Sequence, residues 1–447
     1  MRTGTTPRPA AGRLDAPRPP DFRPALAPLP EAPDVVVIGA GAAGIAAART
    51  LTDDGLAVAV LEARDRVGGR AVTVSLRGHP IDLGAHWLHA GPINPLVALG
   101  RERGERLFRA PQDGHAWVGG RPAPAREARA SDRAFALADH AMTGGAGRGG
   151  GDRAAATALP VAPGPWGKRV AQVHGLVSGR PLEEVSLHDF PSMEYGDNSF
   201  IAGGYGNYLA RLATGLPIRL SAPVRQIDWR GEGVIVETVA GQRIAAAAAV
   251  VTVPVMVLRE GPTFSPPLPN AIRAAIDGFT TGIYEHAVLH WPSSPFTGRD
   301  RLAGFHGGRR APPGLLTRIE GTPFHFYELD SREAEAIDAA GGGSDAVRRH
   351  VRAVLAEQVG RDRLRDLAIP LVSAWRHDPF ARGSWAVVPP GHAPARATLR
   401  DGVGGRIWFA GEALSREQWG TVGGAYEQGV RAARDLCRTI RAGRPAR

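Results

Sequence analysis

The sequence predicts an α/β fold built on a parallel sheet, and three observations in one stretch carry that prediction. The stretch is residues 34–70, DVVVIGAGAAGIAAARTLTDDGLAVAVLEARDRVGGR. Residues 34–38 and 57–61 are short apolar runs suited to strands buried on both faces. Residues 42–51 between them are rich in small and apolar side chains and read as a helix. Gly39, Gly41 and Gly44 stand at the turn from strand to helix as G-x-G-x-x-G. Gly39 permits the tight turn, Gly41 lets a pyrophosphate approach the backbone, and Gly44 lets helix and strand pack closely. The helix N-terminus offers unpaired N–H groups and a partial positive charge to that pyrophosphate. Glu62 closes the second strand 18 residues after Gly44, where a carboxylate accepts hydrogen bonds from ribose hydroxyls and disfavours the 2′-phosphate of NADP. Strand, helix, strand and acid in register define a Rossmann-like dinucleotide-binding unit.

Composition bounds the rest. A chain of 447 residues has room for two domains and a sizeable core. The net charge of +10 comes almost entirely from arginine, Lys168 being the only lysine. No arginine-rich stripe interleaves with aromatics, so nucleic acid is not an expected partner. Cys437 is the single cysteine, which excludes an intrachain disulfide and a Cys-based zinc site; no metal is expected, and a reducing cytoplasm fits. Residues 1–33 are rich in Pro and Arg without an apolar core and are expected to be a disordered N-terminal extension. No run of about 18 apolar residues is present, so no membrane span is expected.

The continuation selects the dinucleotide. Residues 64–70, RDRVGGR, resemble the second motif of the flavin-containing amine oxidase family, whose Gly-Gly-Arg segment runs beside the pyrophosphate of FAD. The resemblance makes Gly69 and Arg70 cofactor-binding, with Arg70 a charge partner for phosphate, and adds Ala43, Ala63 and Arg64 to the set. Residues 81–91, IDLGAHWLHAG, match the family's Gly-Ala-x-Trp-(Ile/Leu)-His segment, which passes the flavin ring. This assigns Gly84, Ala85, His86 and Trp87 to the cofactor and His89 to the substrate channel, as in polyamine-oxidising members. The alternative for both histidines is hydrogen-bonded packing beside a loop.

Residues 96–190 carry less information. Helices are expected over 96–106, 166–177 and 181–190, and a flexible loop over 142–153, MTGGAGRGGGDR. Glu194, Asp197 and Asn198 stand either at the substrate site or as solvated loop residues. Residues 202–213 match the family's Gly-Gly-Tyr-x-x-Leu signature, which returns the chain to the FAD domain. Strands are expected within 217–228, over 233–238 and in 247–254; Val224 falls where the family recognises adenine with backbone groups. A helix over 271–277 precedes 279–291, which reads as one strand with Tyr284, His286, Val288 and His290 on one face. His286 takes the position of the family's lysine, which holds a water near flavin N5 and assists reaction with oxygen. A strand over 324–329 and a helical stretch over 332–360, broken at 341–343, follow.

The last motifs complete the resemblance. Residues 375–391 match Trp-x-x-Asp-Pro…Arg-Gly-(Ser/Cys)-(Tyr/Trp), placing Trp375 near the flavin and Trp385 as one wall of the aromatic cage that orients the amine. Ser384 stands where some members attach FAD through cysteine, so noncovalent FAD is expected. Gly411 and Glu412 match the turn whose acid binds the ribitol. Val422 begins a helix to about residue 440, whose N-terminus would stabilise the anionic reduced flavin. Thr421 falls at the second cage aromatic, leaving the cage half built unless Trp419 compensates.

The resemblance therefore implies an FAD-binding domain assembled from 34–91, 196–262 and 395–447, with an α+β substrate-binding domain from 92–195 and 263–394, as in p-hydroxybenzoate-hydroxylase-like flavoproteins. It implies oxidation of a monoamine or polyamine by hydride transfer from the carbon alpha to nitrogen to flavin N5. The imine is then hydrolysed, with hydrogen peroxide formed if oxygen is the acceptor. His286, Trp385, Thr421 and His89 are the catalytic candidates. An L-amino-acid oxidase, a dehydrogenase or desaturase that avoids oxygen, and a catalytically weak flavin-binding protein are the alternatives. A monomer or homodimer is expected.

Overall fold

Val35–Ile38 sits at the centre of a five-stranded parallel sheet, between Ala248–Val251 and Val58–Leu61, with Ile407–Phe409 and Ile218–Arg219 at the edges. Each of its four side chains is buried, because alternation sends Val35 and Val37 into one core and Val36 and Ile38 into the other. The first core is closed by helices Ala42–Asp53 and Val422–Gly443. The second is closed by a four-stranded sheet of Arg243–Ala246, Val234–Thr238, Val224–Asp228 and Thr263–Ser265. Strands from widely separated stretches thus meet in one parallel layer. The computed structural model describes residues 22–111, 114–118, 120–146, 150–160, 166–190, 196–306 and 310–443, so Glu194 lies outside the described residues.

A second sheet faces this layer. It has seven strands in the order Ala368–Val372, Glu285–His290, Phe324–Leu329, Gly314–Thr317, Arg301–His306, Gly114–Val118 and Arg121–Pro122. Helices Gly343–Val359 and Ser331–Ala339 cover its outer side, separated at Gly341 and Gly342 as the glycine run suggests. Helix Gly167–Ser178 lies on the inner side of this sheet.

Four expectations need correction. Residues 279–291 are two strands: Thr280–Gly282 pairs with Trp385–Val387, and Glu285–His290 joins the seven-stranded sheet. The break is held by Ser384, whose hydroxyl donates to the Tyr284 carbonyl at 2.6 Å and accepts from its N–H at 3.0 Å. The expected loop at 142–153 begins as the end of a 22-residue helix, Ala125–Ala146, formed by a run of good helix formers before the glycines. Beyond it, Asp152 is anchored by the Ser186 hydroxyl at 2.8 Å and the Gly391 N–H at 2.8 Å. In place of a continuous helix over 181–190 there is a short 3-10 turn, Leu182–Glu184, followed by further turns. The extension expected to be disordered over 1–33 lies partly outside the described residues, but its described part packs on the fold: Phe22 and Leu26 meet one core, Leu29 the other, and Ala27 bridges Pro217. Among the described residues no helix is long and apolar enough to cross a membrane.

Candidate active site

A cavity of about 1050 Å³ runs from the glycine turn to the inner face of the seven-stranded sheet. Gly39 turns with φ +102°, and a Cβ on Gly44 would stand 1.9 Å from the Gly39 carbonyl oxygen. The turn is therefore closed by backbone against backbone, with Gly41 facing Gly69 across the mouth. Glu62 accepts from the Ala40 N–H at 2.6 Å and the Arg64 N–H at 2.8 Å. Burial raises its pKa, against the pull of those two donors.

All the residues expected to bind FAD line this cavity except Gly44, which acts through packing. Two side chains have partners that their expected roles did not include. Arg64 forms a two-pronged pair with Asp378 at 2.8 and 2.7 Å and lies 5.4 Å from the Phe380 ring. Arg70 donates to the Ser384 carbonyl at 2.8 Å and to Glu412 at 3.1 Å, and Glu412 also accepts from the Ala386 and Gly420 N–H groups at 3.0 Å. Val224 lies at the far end and Trp375, bonded to the Leu83 carbonyl at 3.0 Å, lies over Gly84. Thr421 caps the last helix: its hydroxyl accepts from the Gly424 N–H at 2.9 Å and donates its proton to the Gln418 carbonyl at 2.7 Å. This glycine cradle, buried acid and inward-facing helix N-terminus fit FAD.

The four catalytic candidates also line the cavity. Trp385 is fixed by its indole N–H on the Ser178 carbonyl at 2.9 Å. Its neighbour is the Tyr284 ring, at 5.4 Å and 38°. Trp419 is instead fully buried, with the Arg396 guanidinium 4.6 Å from its ring. Trp385 and Tyr284 are thus in contact and make one aromatic face, to which Trp419 adds nothing. His89 contacts Asn198 at 3.0 Å and stacks parallel to Trp87 at 6.0 Å. His86 is held by Asp82 at 2.8 Å, and Asp82 also accepts from the Thr73 hydroxyl at 2.6 Å. His286 donates from Nε2 to the Asp82 carbonyl at 3.0 Å and stacks on Phe326 at 4.6 Å; burial lowers its pKa to about 4, so it is neutral near pH 7.

Two charged residues of this wall escape sequence reasoning. Glu328 lies directly across from His286 on one neighbouring strand, and Gly314 lies directly across from Glu328 on the next. A Cβ on Gly314 would stand 1.7 Å from a Glu328 carboxylate oxygen, so the bare backbone makes the floor on which the carboxylate rests. Burial raises the Glu328 pKa to about 6, opposed by a hydrogen bond from Tyr284 and the charge of Arg169. Arg169 comes from helix Gly167–Ser178 and donates to the Pro312 carbonyl at 2.5 Å and to Gln172 at 3.3 Å. Burial lowers its pKa to about 10, with Glu328 the largest opposing influence. A lone acid in the apolar strand FHFYEL, and the helical spacing of Trp166, Arg169, Val173 and Leu176, were the available signals.

The chain is 30% identical over 450 residues to lysine-specific histone demethylase 1B of Mus musculus, covering 89% of this chain and 52% of that protein. It thus spans about half the length of the demethylase relatives that it matches. It is 30% identical over 441 residues to polyamine oxidase 2 of Arabidopsis thaliana, covering 91% of this chain and 88% of that one. A solved structure of putrescine oxidase shares the fold, with a TM-score of 0.72 at 21% identity over 93% of this chain and 100% of that chain. The sequence pattern of flavin containing amine oxidoreductases matches residues 42–135 and 166–437. The chain belongs to the flavin containing amine oxidoreductase family.

Proposed function

We propose that this chain is an FAD-dependent amine oxidoreductase that holds its FAD noncovalently. The observation that carries the reading is the continuity of one cavity from the glycine cradle to a wall of Trp385, Tyr284 and Glu328. Trp375 and Thr421 line the same space between these ends. The names of the relatives, polyamine oxidase and histone demethylase, support an amine as substrate.

When bound, FAD supplies the two-electron acceptor. The side chains do the rest. Trp385 and Tyr284, in contact with each other, give the amine one aromatic face and keep water from it. Glu328 draws the cationic nitrogen out of water and accepts a charge-assisted hydrogen bond. Carbon–hydrogen cleavage needs the nitrogen lone pair, so the ammonium must lose a proton first. The high pKa of Glu328 brings its acidity closer to that of the ammonium and eases that transfer. His286 has a different part: a neutral imidazole tied to the Asp82 carbonyl brings no positive charge to the site where the family's lysine assists oxygen. Slow reaction with oxygen and a different electron acceptor follow from this reading.

Anaerobic titration of the purified holoprotein with amines tests it. Bleaching of the visible flavin band is the expected result, followed by slow recovery in air. A band that no amine bleaches would remove the proposal, and rapid recovery in air would remove the statement about oxygen.

A further inference from the structure

The substrate half of the cavity carries opposite charges that do not neutralise one another by contact. Glu328 has Tyr284 as its hydrogen-bond neighbour, while the Arg169 guanidinium is spent on one edge by Pro312 and Gln172. Their mutual influence is through the field, to which Asp330 and Glu333 add around Arg169 without contact. The other edge of Arg169 lies over Gly304, where a Cβ would stand 3.6 Å from Nη2, and both Gly304 and Arg169 line the cavity. Arg169 is anchored at Pro312 and Glu328 rests over Gly314, two residues further along, a span of roughly 6–7 Å in extended chain. Among the described residues of this half, Asp132 is the other acid on the lining, and it is exposed.

A buried charge whose counter-charges act only at a distance is costly, and a ligand that brings one into contact recovers part of that cost. A diamine or longer polycation would satisfy Glu328 but bring a second positive charge toward Arg169. We infer that the cavity selects an amine that also bears a carboxylate, with Glu328 receiving the nitrogen and Arg169 the carboxylate. This rests on the amine oxidoreductase reading and narrows its substrate class. A guanidinium edge presents paired N–H donors that match a carboxylate.

The test uses anaerobically reduced holoenzyme, which binds amines without consuming them. Calorimetric titration compares straight-chain amino acids carrying one to five methylenes between ammonium and carboxylate with diamines of matched length. At its best length the amino acid is expected to bind roughly tenfold or more tightly than the matched diamine. Arg169→Met is expected to abolish that preference while leaving diamine binding equal or stronger, and Arg169→Lys to restore part of it. Diamines that outbind every amino acid on the wild-type enzyme would overturn the inference, as would Arg169→Met weakening both series equally. The wild-type ladder decides even if the variants fold poorly. Diamines that win and also bleach the oxidised flavin remove this inference and leave the parent reading intact. A preference for amino acids without bleaching by any ligand removes the parent reading and leaves the charge-paired site.

Discussion

The two halves of the cavity recognise by different means. At the glycine turn, recognition belongs to the backbone: Gly39, Gly41 and Gly44 shape a cradle by lacking side chains, and Glu62 is aligned by two backbone N–H groups. At the seven-stranded sheet it belongs to side chains supplied by distant elements: Tyr284, Glu328, Trp385 and Arg169. A backbone cradle tolerates little variation, because the obstacle to a new side chain is the main chain itself. A side-chain wall can change its specificity without disturbing the fold.

This contrast ranks the substitutions that would break it. The largest effect is expected at Gly44→Ala, whose Cβ would meet the Gly39 carbonyl at 1.9 Å. Overpacking of about 1–3 kcal/mol or more should lower the thermal midpoint and strip flavin from the purified protein. A full complement of flavin, read from the ratio of visible to protein absorbance, would show that the cradle is not closed as described. Glu328→Gln should do the opposite, keeping flavin while weakening a cationic amine by roughly ten- to a hundredfold.

The same carboxylate gives the comparison a pH signature. Its pKa in the free enzyme is about 6, so affinity for a cationic amine should rise as pH increases through that value. In Glu328→Gln that dependence should vanish. Tyr284→Phe removes a hydrogen bond that favours the ionised form, so the inflection should move above about 6, with a smaller loss of affinity. An unmoved inflection would mean that Tyr284 serves as an aromatic wall alone. The smallest effect is expected at Thr421→Val, which removes a helix cap worth about 0.5–2 kcal/mol. Thr421→Ser should restore it, and the thermal midpoint of the holoenzyme measures both.

Legibility followed the same division. Strand, turn, helix and acid lie together within residues 34–62, so local pattern revealed them. The row of His286, Glu328 and Gly314 exists only after three strands adopt one register, which no local pattern states. The break at Tyr284 is set by Ser384, 100 residues away, and alternation alone read straight through it. In the sequence Thr421 stands out for the aromatic it replaces, whereas its hydroxyl serves the helix that follows. The helix Ala125–Ala146 was hidden by its own composition: glycines at its end drew attention from the Ala, Arg and Glu that build it.

Gly314 also constrains the history open to this protein. With an acid at position 328, a Cβ at 314 is admitted only if the carboxylate swings away from its present place. A lineage moving toward an uncharged substrate is disturbed least if it shortens 328 before it fills 314. The reverse order passes through an ancestor whose carboxylate has been pushed off its floor, with the old preference lost and no new one gained. Epistasis between these two positions should therefore be directional, and a change of diet in this branch should leave its trace at both or at neither.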